Sequence, residues 1–473
     1  MKVAASRQAA LPGRLVAFYA AQVSETAREF SGDGEGWTSA FTLALTHAMA
    51  RPGARDARTL IAHAVQGVRA LRPRGIFQTP YADEDLAEGQ ALLAGKGEEV
   101  LNRFSGAGDG LDAGILDGFD TGAELALFDS ATATTPLGRA RVVRGGLARS
   151  RIAPLDGASL PATGWFARLA EPAREGRLTV GAAVAEGAAP ALLAHAQAAL
   201  AKALAEPLQA MAPAGASEPD VAVHVLADRL QLTSRRALLG IAQHIDIPFS
   251  ASVDDGLARR LSAALHRLDL LRRMERAETL AAAVPAAQRM PVTASLRRFA
   301  GRAATPCPAP AATARAEMLG PALPLATCDV IEVELRNTSA APRFVQVLAV
   351  HPDGRMQAVA PRCGETRVLK LEAGQATAGR ASAGAKSALP VVWFTLPKPR
   401  AGDGPQARMA LQVLSLPLDG AAIAPDPCQF ERFNGAAPIA TRGAVLFDED
   451  SRSAGTRPGE ITLLRHVLEW TAR

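Results

Sequence analysis

The sequence predicts an α+β chain of several domains: part of an α/β sheet first, then a small β-barrel or meander, a mixed α/β middle region and a C-terminal antiparallel β-sandwich. Three observations predict this. At 473 residues the chain is longer than one hydrophobic core usually serves. Residues 1–85 carry one apolar run and two helical stripes, whereas 114–155 and the last third carry short alternating segments broken by Gly, Pro and Asp-Gly turns. Hydrophobic residues make up 48% of the chain but aromatics only 4%, so Ala, Leu and Val must fill the cores.

Taken in order, "GRLVAFYAAQ" (13–22) reads as a central strand buried on both faces. A helix over 37–50 places Trp37, Phe41, Leu45 and Ala48 on one face and stops at "RPG". A second helix over 56–71 has the stripe Leu60, Ile61, Ala64, Val65, Val68 and Leu71. "IFQTPYAD" (76–83) is a short extended piece, limited by Pro80. The N-terminal unit is therefore 1–85, followed by a connector over 86–108 and a small β module over 109–158.

The middle region, 159–304, offers strands at 162–168, 178–183, 220–226 and 229–233, the last two a hairpin across Ala227–Asp228. Its helices span 189–206 and 254–281. Ser252 and Asp255 suit a capping box for the second. That helix turns Leu257, Leu261, Leu265, Leu268 and Leu271 inward; Arg259, Arg260, Arg267, Arg273 and Arg276 form a solvated outer face.

The Pro/Ala-rich stretch 302–317 reads as a linker or edge segment at the start of the last domain, 305–473. "VIEVELRN", "FVQVLAV", "MQAVAP", "VVWFTL" and "MALQVLSL" follow as strands, with a self-sufficient fold expected from about 320 to 445. Val330, Val333, Leu335, Val345, Val347 and Leu348 belong to its core. The end, "GEITLLRHVLEWTAR", suits a final strand or a docking helix.

Composition narrows the function classes. A formal charge of +5 and a pI of about 9.3 are mild for this length, and the excess of Arg over Lys beside heavy Ala usage reads as coding bias, whereas a nucleic-acid binder would need its Arg gathered into one patch or stripe, so no nucleic-acid partner is expected. No apolar run is long enough to span a bilayer, and no signal peptide is visible, which favours the cytoplasm without fixing the compartment. Cys307, Cys328, Cys363 and Cys428 form no CxxC pair, so neither a zinc site nor a cofactor is expected. They read as small buried residues in preference to disulfides.

Four pieces in order carry a resemblance: "VAFYAAQVSETAREF", "SAFTLALTHAM", "TLIAHAVQGVRAL" and "FQTPY". Together they resemble the small-subunit half of bacterial caspase-like cysteine peptidases, the metacaspases and orthocaspases. "DVIEVELRNTSAAPRFVQVLAVHPDGRMQAVAP" resembles the β domain that often follows such peptidases, and 118–142 resembles a spacer seen in those proteins. The resemblance implies a partial caspase-like α/β sheet over 1–85. It also implies that an acid after the first strand helps hold a basic P1 side chain, with Glu25 and Glu29 as the residues at that place. Arg28 beside them works against that preference, and two solvated loop acids are the plain alternative.

The family needs a His in a setting like "SGHG" and a Cys in one like "DxCxxG", so that a thiolate attacks while an imidazole moves the proton. Neither setting occurs here, and no catalytic residue is assigned. Two readings follow. The chain is the C-terminal portion of a caspase-like endopeptidase, inactive alone and able to meet a peptide or protein substrate only when the missing large-subunit half is supplied. The start at Met1 then lies within a longer frame. Alternatively it is a non-catalytic pseudo-peptidase whose C-terminal β domain binds a protein partner.

Overall fold

The computed structural model describes residues 17–21, 27–31, 37–50, 57–71, 78, 80–82, most of 104–377, 392–398, 406–417 and 462–471. They fall into two compact units, one within Met1–Leu101 together with Ser130–Thr134, the other from Asn102–Asp129 and Thr135–Arg473. Strands dominate both the element count and the number of separate sheets.

In the first unit β1 (Phe18–Tyr19), β2 (Glu29–Ser31) and β3 (Trp37–Ser39) lead into α1 (Ala40–Ala50) and α2 (Ala57–Ala70), and β4 (Tyr81–Ala82) follows. The expected buried central strand is corrected here. β1 is two residues long, pairs antiparallel with β4, and leaves Tyr19 exposed. An apolar run alone does not distinguish a central strand from a short edge piece. β2 and β3 form an antiparallel hairpin through Glu29–Ser39, Phe30–Thr38 and Ser31–Trp37.

The buried stripe of α1 is Ala40, Ala44 and Ala48, at four-residue spacing, with Phe41 and Leu45 half-buried beside it. These small side chains admit α2 at close range. A Cβ on Gly67 would press on Ala44, while Leu60, Ala64 and Val68 complete the seam. Phe18 of β1 packs against Ala48 and Leu60.

The second unit opens with a closed six-stranded barrel: β5 (Phe104–Ala107), β6 (Gly110–Leu111), β7 (Glu124–Phe128), β8 (Gly138–Gly145), β9 (Ser150–Pro154) and β10 (Trp165–Glu171). Ladder order is β10-β5-β6-β9-β8-β7, and β7 closes on β10. The barrel is wider than the sequence marks, because closure needs β5 from the expected connector and β10 from the expected middle region. Its centre is Trp165, whose ring lies over Gly106 so closely that a Cβ there would overlap it. The Trp165 indole N–H donates to the Gly108 carbonyl at 3.2 Å.

Next, β11 (Leu178–Ala185), α3 (Pro190–Ala203), β12 (Gln209–Met211), β13 (Val221–Val225), β14 (Arg229–Ser234) and β15 (His244–Pro248) build a five-stranded sheet in the order β12-β11-β13-β14-β15. β12 and β13 both run parallel to β11, α3 serving as crossover; the rest are antiparallel hairpins. Pro190 opens α3, where its fixed φ and missing N–H cost nothing. The long helix α4 (Leu257–Ala282) buries the expected leucine face completely. The Ser252–Asp255 cap lies outside the described residues.

Two further sheets enclose one apolar core. The first contains β16 (Val292–Phe299), β17 (Ala316–Met318), β19 (Val330–Asn337) and β23 (Val392–Thr395). The second contains β18 (Leu325–Ala326), β20 (Arg343–Val350), β21 (Met356–Ala360), β22 (Leu369–Leu371), β24 (Gln406–Pro417) and β25 (Thr462–Thr471). Val333, Leu335, Val345, Val347, Leu411, Val413 and Trp470 meet between them.

The self-sufficient 320–445 segment is corrected by the pairing. β19 needs β16 over eight residues, and β24 needs β25 over ten. The C-terminal stretch is thus a strand, with Leu464, Leu468 and Trp470 turned to that core. The other face of the second sheet presents Phe344, Leu348, Val350, Ala410 and Leu414 to the core that holds the α4 leucines. A 320–445 fragment would expose that face.

Cys307 and Cys328, expected as separate thiols, form a disulfide with Cα atoms 5.2 Å apart. Cys363 and Cys428 lie outside the described residues. The bridge closes a tight corner. Cys328 has φ 69°, and a Cβ on Gly301 would collide with the Cys328 carbonyl, so only glycine fits. The buried Asp329 carboxylate fastens the same corner, accepting from Gly301 N (2.9 Å), Ala326 N (2.9 Å) and Arg298 Nε (2.8 Å).

Candidate functional site

Two of the sequence pieces of the first unit, the one around β1 and Arg28 and the Gln-x-Pro piece, meet at one side chain, and the start of α1 joins them through the Arg28 backbone. Gln78 is buried, and its Nε2 donates to the Ala20 carbonyl at 3.0 Å, just after β1. Its Oε1 accepts the Arg28 backbone N–H at 2.7 Å. The Arg28 carbonyl in turn accepts the N–H of Ala40, the first residue of α1, at 3.1 Å. A buried amide that loses such bonds pays its desolvation in full, so Gln78 fixes the end of β1 and the approach to β2 together.

Glu29 follows directly. It opens β2, opposite Ser39, with its side chain exposed on a backbone held from both directions. Glu25 lies outside the described residues. Among the described residues the fold therefore presents one carboxylate, beside the equally exposed Arg28, next to a rigid clip.

Nucleophilic chemistry finds no assembled pair among the described residues. Cys307 and Cys328 are oxidised to each other. Ser262 Oγ lies 3.3 Å from His266 Nδ1, but that nitrogen is 2.8 Å from the Ser262 carbonyl. A ring N–H donating to that carbonyl cannot accept the serine proton. His224 Nδ1 pairs with Glu186 at 2.7 Å. His47 is exposed on α1 and His63 is buried in α2. No cluster of three or more metal-ligating side chains occurs among the described residues.

Buried charge gathers where α4 meets the barrel, and there Arg273 and Arg276 depart from the expected solvated arginine face, whereas Arg259 is exposed as expected. Asp269 is fully buried; it accepts a hydrogen bond from Arg272 (3.2 Å) and forms an ion pair with Arg273 (3.0 Å), three and four residues on. Arg273 also donates to the Leu116 carbonyl in the barrel's short 3-10 turn, Ile115–Asp117. Arg276 reaches the buried Asp120 at 2.6 Å. Further along, burial lowers the Arg267 pKa, against the opposing pull of Asp353. A helical wheel sees these arginines leave the leucine face, but it does not see the carboxylates and carbonyls that the barrel brings to them.

Asp117 closes that 3-10 turn, its carboxylate accepting the Gly114 N–H at 3.0 Å. Burial raises its pKa from 3.8 to about 7, against the Gly114 hydrogen bond and the Arg273 charge. The raised pKa means that between pH 4 and 7 the folded chain holds a proton that the unfolded chain has released, so this group's contribution to stability falls as pH rises through that window. Asp117→Asn, which keeps an acceptor for Gly114, is expected to flatten the dependence. It should raise stability at pH 8 by about 2 kcal/mol, a figure discounted for partial solvent contact. Urea midpoints across that range check this, and parallel curves for the two proteins would contradict it.

No family model, curated protein or solved structure matches the chain.

Proposed function

We propose that this chain is the C-terminal portion of a caspase-like cysteine endopeptidase that performs no chemistry alone. In this reading the first unit supplies the small-subunit wall of the substrate cleft, and the two facing sheets form the β-sandwich domain that follows such peptidases. The observation that carries it is the Gln78 clip. The Gln-x-Pro piece and the segment after the first strand, two of the pieces on which the resemblance rests, are joined by one buried amide, and the Arg28 backbone carries the link on to the start of the first helix. Glu29 stands where an acid can pair with a basic P1 side chain. The attacking thiolate and its imidazole come from a segment with the settings that this sequence lacks.

The purified chain is expected to show no turnover of peptides with Arg, Lys or Asp at P1. Thiol-sensitive cleavage lost on Cys363→Ala or Cys428→Ala would overturn the proposal. Joined to a His- and Cys-bearing segment encoded in frame upstream, it should cleave the Arg and Lys peptides, with Glu29→Gln raising KM for them selectively.

A further inference from the structure

The barrel's outer surface carries a pattern that the peptidase reading leaves unused. Between residues 130 and 155 the sequence holds five arginines, Arg139, Arg141, Arg144, Arg149 and Arg151, and no Asp or Glu. β8 and β9 bring four of them to the outer face, while Ala140, Val142 and Ile152 point into the barrel core.

The strip along β8 has a definite order. Leu137, whose N–H extends the ladder to the Leu127 carbonyl, is followed at alternate positions by Arg139, Arg141 and Val143. All four face outward. Leu137 is 54% and Val143 53% exposed, and the Arg139 and Arg141 side chains are about half-exposed.

Local acids leave charge over. Glu124 of β7 takes one contact from Arg139 and one from Arg141, the latter at 2.7 Å, and Asp109 pairs with Arg151. The two partners of Glu124 hold its carboxyl below the usual range, the Arg141 hydrogen bond most of all. Arg144 sits directly opposite Arg151 across the β8–β9 ladder, and among the described residues it has no ion pair. Like charges in direct cross-strand register repel, so an arriving anion relieves a cost already present. Each guanidinium offers five N–H donors, and Glu124 uses few of them.

We propose that this face docks an extended acidic peptide segment of a protein partner, with carboxylates at two alternate positions and an apolar side chain at each end. Three features choose a peptide over other polyanions. Alternate residues of an extended strand repeat at about 6.8 Å on both partners, so two carboxylates on one face of the peptide meet Arg139 and Arg141 together. Leu137 and Val143 offer apolar contacts at either end that a phosphate backbone does not use. The barrel aromatics Trp165, Phe128 and Phe166 are buried, so the strip has no platform on which bases could stack. The closed barrel has no free edge here, and recognition is by side chains alone.

The test is fluorescence anisotropy with the full chain and a labelled peptide that alternates Asp with Thr between terminal leucines. Saturable binding is expected, weakening as salt rises. Replacing Arg139 and Arg141 together by Ser should weaken it about tenfold, as loss of two exposed ion pairs allows. Val143→Asp leaves both arginines in place and should also weaken it, while Arg168→Ser on β10 should not. Unchanged thermal melts establish that the variants fold. The proposal is overturned if the peptide fails to bind at low salt, or if binding ignores both the arginine and the Val143 changes. It also falls if duplex DNA or phosphatidylserine vesicles compete for the strip more tightly than the peptide.

Discussion

Asp269→Ala is expected to lower stability by about 3–5 kcal/mol, the usual consequence of removing one partner from a buried ion pair. The carboxylate is fully buried on α4 and shared by Arg272 and Arg273, whose side chains are themselves almost wholly covered. Without it the two guanidinium groups repel each other in a poorly solvated place, and among the described residues Arg273 keeps its bond to the Leu116 carbonyl there. A urea melt reads the loss. A useful partner experiment is the double replacement Asp269→Leu with Arg273→Met, which removes charge of both signs. It should recover a large part of the deficit, since well-packed apolar residues often substitute for a buried pair without net cost. A midpoint unmoved by Asp269→Ala would mean that α4 does not rely on this carboxylate.

Trp165→Ala should cost a similar 3–5 kcal/mol through a different cause, the cavity left at the barrel centre. Trp165 is fully buried, lies over Gly106, its register partner on the adjacent strand β5, and is anchored by its indole N–H to Gly108. Phe104 and Phe119 meet edge-on at 4.7 Å in the same small interior. Gly106→Ala should destabilise too, since the added methyl overlaps a ring with nowhere to move. Combining Gly106→Ala with Trp165→Leu should cost less than the sum of the single changes. Hydrogen exchange across 104–171 checks both. Protection there equal to that of the parent protein would count against the account of the barrel core.

What the sequence made legible followed from periodicity. The α4 leucines, the hairpin across Ala227–Asp228 and the alternation of β19, β20 and β24 all repeat at the spacing that their geometry demands. β16 leaves no such signal, because "VTASLRRF" reads as polar. Its inward positions are Val292, Ala294 and Leu296, but Arg297 and Arg298 dominate the string, and the acids that answer them, Glu334 on β19 and Asp329 just before it, lie far along the sequence. Arg273 misled in the same way, since its carbonyl partner Leu116 is far away in sequence. The Cys307–Cys328 bridge has no spacing signature, because it depends on how the corner at Gly301 turns. Of the candidate site, the string placed Gln78 within a motif but gave no hint that both ends of its amide are engaged. For Glu29 it named the residue and not the hairpin that carries it.

The pairing of β24 with β25 also bears on how the chain is made. β25 lies between β18 and β24, so the second sheet lacks an inner member until residues 462–471 leave the ribosome. While the intervening segment is being synthesised, the ten β24 residues that await β25 present an unpaired, apolar edge, the kind of surface that recruits other nascent chains. Premature termination anywhere between 418 and 461 should therefore yield aggregates and chaperone-bound material, with little soluble shortened protein.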